Sequence, residues 1–344
     1  MASPRNVRGL AFWLPLVLLA ALACLPVIAD RLDQAFLVTL FARMLVYALA
    51  AVSLNLALGY AGLVSFGHAL FFGVGAYCVA IPGFHGIDSG WIHLAAGVAV
   101  CAILGGLTGL VSLRTSGIAF IMITLAFAQM GYFVFVSMKS YGGDDGMTIT
   151  ATSRFGALNL GELNTLYYTA FGLLCAALLA MWRIHGAPFG MVLRGARQNA
   201  RRVNALGFSA RKYQLAAYVI SAVACGLAGI LLANLNAFAS PSTLAWSVSG
   251  DLIVMVVLGG MGSVAGPLLG AIAFLGLEEV LKSYTDHWAV VLGPMIVLIA
   301  ILGRAGILGM LLKADAWFAG KNKPEQPAAS AAPAASQLAR EESR

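Results

Sequence analysis

The sequence predicts an all-α, polytopic membrane protein with about ten transmembrane or re-entrant helices. Hydrophobic residues make up 60% of the 344-residue chain and charged residues only 10%, whereas soluble domains average about 25% charged residues. Most apolar runs are about 18–25 residues long, the length that a helix needs to cross roughly 30 Å of hydrocarbon. Because these runs do not alternate with a period of two, the sequence favours helices over a membrane β-barrel.

Ten apolar segments are predicted to form the helices. Two of them, 62–81 and 246–260, are short and interrupted by glycine. A full crossing needs about 20 residues, so these two are candidates for broken or re-entrant segments. The predicted helices are 10–29, 35–58, 62–81, 91–113, 117–138, 165–183, 213–236, 246–260, 264–282 and 287–303.

The chain is divided into an N-terminal helix with the first external turn (1–34), a core (35–312) and a tail (313–344). The N-terminus imitates a signal peptide, because Arg5 and Arg8 precede an apolar stretch. The run from Leu10 to Ala29 is long for a signal peptide, which favours an uncleaved first helix. The tail is rich in Ala, Pro and Ser and is predicted to be disordered in the cytoplasm.

Basic residues are unevenly distributed between the predicted connections. With the N-terminus in the cytoplasm, the external segments hold only Arg31, Lys139, Arg154 and Lys282. All other basic residues except Arg43, which falls within a predicted span, then lie inside, as the positive-inside rule requires. The pattern predicts that both termini are cytoplasmic, and it explains the net charge of +7 without a nucleic-acid partner.

Motifs for catalysis and for metal or nucleotide binding are absent from the sequence. There is no GxxxxGK[ST], HExxH or GxSxG pattern. The five cysteines lie inside apolar runs without a CxxC spacing, so they are interpreted as small apolar side chains. The sequence therefore predicts that this chain is not an enzyme and holds no cofactor or metal.

A basic segment at 184–212 separates two long apolar runs. After Pro188 and Gly190, which are predicted to form a turn, residues 191–205 are compatible with a short amphipathic helix, and Gly207 is a plausible residue to end it. Two interpretations have equal weight on physical grounds. The segment is either a charged loop or helix lying on anionic lipid, or a docking helix for a cytoplasmic partner.

Two glycine-rich segments have weakly similar sequence patterns. One contains Gly62, Ser65 and Gly67, and the other contains Gly260, Ser263 and Gly266. Small residues allow helices to pack closely in lipid, and this packing role is the simpler interpretation. The alternative is that the segments unwind and line a transport pathway. The candidate pathway or packing residues are Gly62, Ser65, Gly67, His68, Gly259, Gly260, Gly262, Ser263, Gly266 and Pro267.

Polar residues inside the predicted spans are few. Ser65 and His68 are three residues apart and are expected on one side of a helix, where a structural hydrogen bond is the simpler role for the histidine. Arg43 is expected to snorkel towards the interface, and Asp251 is expected to be interfacial. Nothing in this set predicts the buried paired charges that a proton or ion relay requires.

Four motifs occur together in an order that resembles one family of transporters. They are "NLALGYAGLVSFGHALFFGVGAY" (55–77), "TSGIAFIMITLAFAQM" followed by "YGGDDGM" (115–147), the Ala-Leu-Gly of 205–207 followed by "KYQLAAYVISAVACGLAGILLA", and "DLIVMVVLGGMGSVAGPLLGA" (251–271). Together they resemble the LivM-type permease subunits of ABC importers for branched-chain amino acids. The resemblance covers most of the chain, apart from the N-terminal helix and the tail.

The resemblance implies a multi-pass permease subunit of a binding-protein-dependent ABC importer in a bacterial inner membrane. The implied partners are a homologous second permease, two cytoplasmic ATPase subunits that bind the ATP, and an extracytoplasmic substrate-binding protein. The implied substrate is a branched-chain or other hydrophobic amino acid. Urea, short amides and aromatic acids stay open, because related permeases carry them. The resemblance also implies an inverted repeat.

Within 184–212 the resemblance implies a coupling helix that moves when the partner ATPases bind and hydrolyse ATP. The acidic residue that importer coupling loops generally carry is missing here. The candidate coupling residues are Arg194, Arg197, Asn199, Ala200, Ala205, Leu206 and Gly207. Two rival functions remain: an ion-coupled secondary transporter, which would take up substrate without ATP, and a membrane scaffold, which would bind partners without uptake.

Overall fold

The computed structural model describes residues 10–31, 34–156, 158–285, 287, 289–294, 297 and 306–310, and these are mostly helical. The all-α, polytopic class predicted from the sequence is confirmed for this part of the chain. The predicted tail and most of the predicted helix 287–303 lie outside the described residues. The labelled helices are α1 (Leu10–Arg31), α2 (Ala35–Asn55), α3 (His68–Phe84), α4 (Gly90–Ser112), α5 (Ile118–Ser137), α6 (Leu163–Gly186), α7 (Pro188–Ala205), α8 (Ala210–Asn236), α9 (Trp246–Gly259) and α10 (Gly266–Tyr284).

Among the described residues, five helical stretches are long and apolar enough to cross a membrane. Three shorter apolar helices, Leu14–Ala29, His68–Phe84 and Trp246–Gly259, accompany them. At 1.5 Å per residue, α3 and α9 are about 25 and 21 Å long, which is less than the roughly 30 Å of hydrocarbon. The five long stretches are Ala35–Tyr60, Gly90–Ser112, Ile118–Ser137, Leu163–Gly186 and Ala210–Asn236.

The prediction of one helix over 62–81 is wrong at its start. The last turn of α2 continues as a π-helical turn, Leu56–Tyr60, and the backbone then runs without regular structure through 62–65 before α3 begins at His68. Gly62 has φ +73°, a left-handed conformation that an α-helix does not contain. Hydropathy alone does not reveal such a break, because the residues on both sides are equally apolar.

Helix α8 forms the centre of the bundle and packs most extensively against α3, α4 and α2. Glycines let α3 and α8 approach with backbone against backbone: Gly75 faces the carbonyl of Gly226, and Gly229 faces the carbonyl of Phe72. Such small-residue contacts are the usual way to gain packing between helices in lipid. The α3–α8 contact therefore fixes the position of the beginning of α3.

The connections at the two ends of the bundle differ. At one end, strand β1 (Met147–Thr148) pairs antiparallel with β4 (Phe238–Ala239), and β2 (Arg154–Phe155) pairs with β3 (Leu158–Asn159). We call this the strand side. At the other end, α7 lies beside the π-helical turn after α2 and the beginning of α8, and we call this the α7 side. The candidate site residues lie between the α7 side and the middle of the bundle.

Candidate functional site

Helix α7 is a kinked, basic helix whose end the sequence predicted well. Its last residue is Ala205, and Gly207 follows with φ +90°, as expected for a helix-terminating glycine. Its start was wrong, because Pro188 begins the helix instead of forming a turn before it. A proline suits the first helical turn, where its fixed φ fits and no amide donor is needed. Asn199 interrupts the helix with φ −158° and ψ 97°.

Six of the seven predicted coupling residues on and just after α7 are exposed, and Arg194 is half-buried. Asn199, Ala200, Ala205 and Gly207 are exposed, and the Leu206 side chain is 72% exposed. Met191 and Phe208 add further exposed apolar area on the same side of the molecule. The buried face is formed by Gly190, Leu193, Ala196 and Val203.

Two of the predicted coupling residues, half-buried Arg194 and exposed Arg197, bind this molecule's own backbone. Arg194 donates from Nε to the carbonyl of Gly190 (3.2 Å) and from Nη2 to that of His185 (2.8 Å), so it ties α7 to the end of α6. Arg197 donates from Nη1 to the carbonyl of Gly59 in the π-helical turn. Sequence patterning treats all these arginines alike, and only the packing distinguishes them.

Both glycine-rich segments meet at Arg197. A Cβ at Gly62 would lie 2.7 Å from Arg197 Cγ, and a Cβ at Gly262 would lie 3.7 Å from Arg197 Nη1. The arginine stem therefore packs on the first segment while its guanidinium reaches the edge of the second. This contact joins α7 directly to the two breaks in the membrane helices.

A second link between the two glycine-rich segments is Asn55, which is fully buried. Its Nδ2 donates to the carbonyl of Ser263 (2.8 Å), and its Oδ1 accepts from the amide of Gly262 (2.9 Å). The side-chain amide thus satisfies one donor and one acceptor of the irregular α9–α10 connection. Such satisfaction is required where non-helical backbone lies within a membrane protein.

Replacing Asn55 by alanine is expected to destabilise the fold by about 2 kcal/mol, because it leaves the Gly262 amide and the Ser263 carbonyl unpaired. The measurement is the free energy of unfolding in mixed micelles. Asn236→Ala is the matched control, since it makes the same change at an exposed residue at the end of α8 and should leave the free energy of unfolding nearly unchanged. An alanine variant as stable as the wild type would contradict the assigned role.

Each glycine-rich segment also holds a serine whose hydroxyl oxygen accepts a hydrogen bond from a backbone amide close to the start of the next helix. Ser65 Oγ accepts from the amide of Gly67 (3.1 Å) before α3, and Ser263 Oγ accepts from the amide of Gly266 (3.1 Å) at the start of α10. Gly259, Gly260 and Gly266 pack so closely that a side chain at Gly259 or Gly266 would overlap backbone. Pro267 occupies the first turn of α10. These contacts support the packing interpretation for the second segment.

His68 begins α3 and lies at the middle of the bundle. Its Nε2 is 2.8 Å from Ser221 Oγ, and Ser221 donates its hydroxyl to the carbonyl of Ser53 (2.5 Å). Since that proton is committed, His68 Nε2 is the donor to Ser221, and Nδ1 is a buried acceptor without a partner among the described residues. Ser65 contacts Tyr218 on the same face of α8, although it precedes the helix instead of lying on it.

The beginnings of α3 and α9 are connected by one side chain. Ser249 donates to the carbonyl of Phe66 (2.7 Å) and accepts from the amide of Ala69 (2.8 Å). Two short apolar helices therefore start close together inside the protein, α3 after an irregular segment and α9 after the 3-10 turn Pro241–Leu244. Sequence reasoning missed Ser249, because a serine in an apolar run carries no pattern of its own.

Two further features concern charge. A cavity of about 430 Å³ opens between α7 and the first glycine-rich segment and is lined by Gly62, Arg197, Arg201 and Arg211. Where α2 packs against α10, Arg43 forms a long ion pair with Glu278 (3.8 Å). The Arg43 side chain is 40% exposed, so its snorkelling stays a prediction beside this pairing. Glu278 was not among the polar residues considered, and its partner on α2 is remote in sequence.

The sequence profile described as "Branched-chain amino acid transport system / permease component" matches residues 36–302. The chain belongs to this permease family. The chain is 27% identical over 291 residues to the high-affinity branched-chain amino acid transport system permease protein LivM of Escherichia coli K12, which covers 77% of this chain and 68% of that protein.

Other branched-chain amino acid permeases are similar to this family member at comparable sequence identity. The LivM protein of Salmonella typhimurium is 27% identical over 82% of this chain and 72% of its own length. The LivH permease protein of Escherichia coli K12 is 24% identical over 76% of this chain and 91% of its own length. No solved structure matches the chain. The family, and with it the resemblance drawn from the four sequence motifs, is confirmed.

Proposed function

We propose that this permease is one transmembrane subunit of a binding-protein-dependent ABC importer for branched-chain or other hydrophobic amino acids. The observation that carries the proposal is the two-sided character of α7. Its outer face exposes Leu206 and its neighbours, while Arg197 on the same helix contacts the membrane-embedded breaks. A helix built in this way can transmit the movement of a docked protein to the membrane segments.

The proposed assembly contains a homologous second permease, two cytoplasmic ATPase subunits and an extracytoplasmic binding protein. The α7 side is placed in the cytoplasm together with both termini, in agreement with the distribution of basic residues. ATP is bound and hydrolysed by the partner ATPases, so this chain needs no nucleotide site of its own.

The proposed mechanism begins with displacement of α7 by the ATPases. Arg197 carries this displacement to Gly59 and Gly62, and Asn55 carries it to the α9–α10 connection at Gly262. Because α3 and α9 start next to each other at Ser249, a shift of either break changes the contact between them. We assign the alternation between outward-open and inward-open states to this contact, with the two broken segments as halves of an inverted repeat.

A second candidate is an ion-coupled secondary transporter. The pairing of Arg43 with Glu278 and the presence of Asp251 in the same cavity favour it, because ion-coupled carriers use intramembrane charges. Uptake that is driven by an ion gradient and needs no ATP would support this candidate. Urea, short amides and aromatic acids remain alternative substrates of the importer.

Leu206→Asp is expected to lower co-purification of the ATPase subunits at least about tenfold, because it places a charge in the centre of the proposed apolar contact. The permease is isolated in mild detergent from its native membranes, and the bound proteins are identified by mass spectrometry. Leu158→Asp is the matched control: Leu158 is 57% exposed on the strand side, and its variant should retain the ATPase. A wild-type permease without any ATPase would contradict the importer.

A further inference from the structure

A cavity beside the middle of the Ala35–Tyr60 span combines charges of both signs with an apolar wall. It has a volume of about 300 Å³ and lies between α2, α9, α10 and residues 289–293. Tyr47, which lines it, is at the midpoint of the Ala35–Tyr60 span. Its charged lining is Arg43, Asp251 and Glu278, and its apolar lining includes Val254, Phe274 and Leu292.

The charges in this cavity are only partly compensated by the protein. Glu278 forms its short contact with Lys282 Nζ (2.5 Å), whereas its contact with Arg43 is long (3.8 Å). The guanidinium of Arg43 also lies 5.7 Å from the ring centre of Tyr47, and its side chain is 40% exposed. Hence the Arg43 guanidinium keeps donors that can reach a ligand.

Asp251 is the clearest sign that a ligand or partner group belongs here. It is exposed, and within the described ranges it accepts no hydrogen bond and forms no ion pair. A charge on this part of a membrane helix does not face lipid, because the cost in hydrocarbon is several kcal/mol. In a water-filled pathway, a cationic group of a ligand can pair with Asp251. An anionic group can accept hydrogen bonds from Arg43.

We propose that this cavity binds the zwitterion of an α-amino acid with an apolar side chain during its passage. Arg43 binds the carboxylate, Asp251 binds the ammonium group, and the side chain lies against Val254, Phe274 and Leu292. A simple cation would pair with Asp251 but would not use the remaining donors of Arg43, whose ion pair with Glu278 is long, and a simple anion would leave Asp251 unpaired. The volume is at the small end of the range for ligand pockets, as a small solute requires. The proposal rests on the proposed importer function.

The first test follows the reactivity of a cysteine placed in the wall of the cavity. Val254→Cys in the complete importer, in membrane vesicles, is labelled with a small methanethiosulfonate reagent and quantified by peptide mass spectrometry. Millimolar L-leucine is expected to slow labelling about fivefold. Leucinamide, which lacks the carboxylate, and 4-methylpentanoate, which lacks the ammonium group, are expected to have little effect.

The outcomes of this labelling separate the possible occupants. Loss of leucine protection in an Asp251→Asn background would complete the support. Equal protection by all three compounds would overturn the zwitterion site, and so would protection by sodium ions alone. A Val254→Cys side chain that the reagent never reaches would contradict an open cavity.

The second test measures ATP-driven uptake of radiolabelled L-leucine by the same vesicles. Asp251→Asn is expected to lower uptake at least about tenfold while the ATPases still co-purify. Glu279→Gln is the matched control, because it makes the same change of acid to amide beside the cavity residue Glu278 and should retain uptake. Normal uptake by the Asp251 variant would contradict only the proposed amino-acid site. Wild-type uptake without ATP would instead contradict the importer function.

Discussion

Replacing Arg197 by glutamine is expected to lower ATP-driven uptake about 10- to 100-fold without releasing the ATPase subunits. The change removes the charge-assisted hydrogen bond to the Gly59 carbonyl, which is worth about 1.5–3 kcal/mol. It also shortens the stem that packs on Gly62. Movement of α7 is then no longer transmitted to the break after α2. The measurement is uptake by vesicles together with co-purification of the ATPases.

Two controls separate transmission from docking at this position. Arg183→Gln removes the same charge from the exposed end of α6 and should leave uptake within about twofold. Arg197→Lys keeps the charge and much of the stem but offers a differently shaped donor, so it should have an intermediate effect. If Arg197→Gln released the ATPases, the residue would be a docking contact. If uptake were unchanged, it would have no role in coupling.

Replacing Gly229 by leucine is expected to cost more than about 3 kcal/mol and to prevent recovery of a monodisperse protein. A side chain at this position would overlap the carbonyl of Phe72 on α3 and lie 3.2 Å from the amide of Ala76 even at its first atom. Both obstacles are backbone, so a change of rotamer does not relieve the overlap. The helices would have to separate, and the beginning of α3 at His68 would move with them.

The control for this substitution is Gly172→Leu in α6, where the described residues place no atom from outside the helix's own backbone within 4 Å of the added Cβ. Size-exclusion profiles and thermal unfolding in detergent compare the two variants at equal expression. The Gly172 variant should behave as the wild type. A Gly229 variant of equal stability would show that α3 and α8 do not pack in the described way.

The sequence predicts well those features that depend on local composition. The long apolar runs predicted α2, α4, α5, α6 and α8, and Gly207 predicted the end of α7 from its own conformational freedom. The break before α3 was not predicted at the right residues. Gly62 to Gly67 are as compatible with a membrane helix as the residues after them, and the irregular backbone is stabilised by distant groups such as Thr124.

The candidate site depends on contacts between residues that are far apart in the chain. Sequence patterning grouped Arg194 and Arg197 with the exposed coupling residues, yet both bind carbonyls of their own molecule. It also left Arg43 without an acid, because Glu278 is on α10 and only the packing of α2 against α10 brings the two together. The role of each coupling and pathway residue stays a prediction that the variants above can test.

Uptake by reconstituted vesicles tests the central claim most directly. The permease, its second permease and the two ATPases are reconstituted, the binding protein is added outside, and accumulation of radiolabelled L-leucine is followed. The importer account predicts accumulation that requires ATP inside, is unaffected by collapse of the ion gradients and falls sharply with Arg197→Gln. Accumulation driven by a proton or sodium gradient in the absence of ATP would contradict it and would turn attention to Arg43, Glu278 and Asp251 as ion-coupling residues.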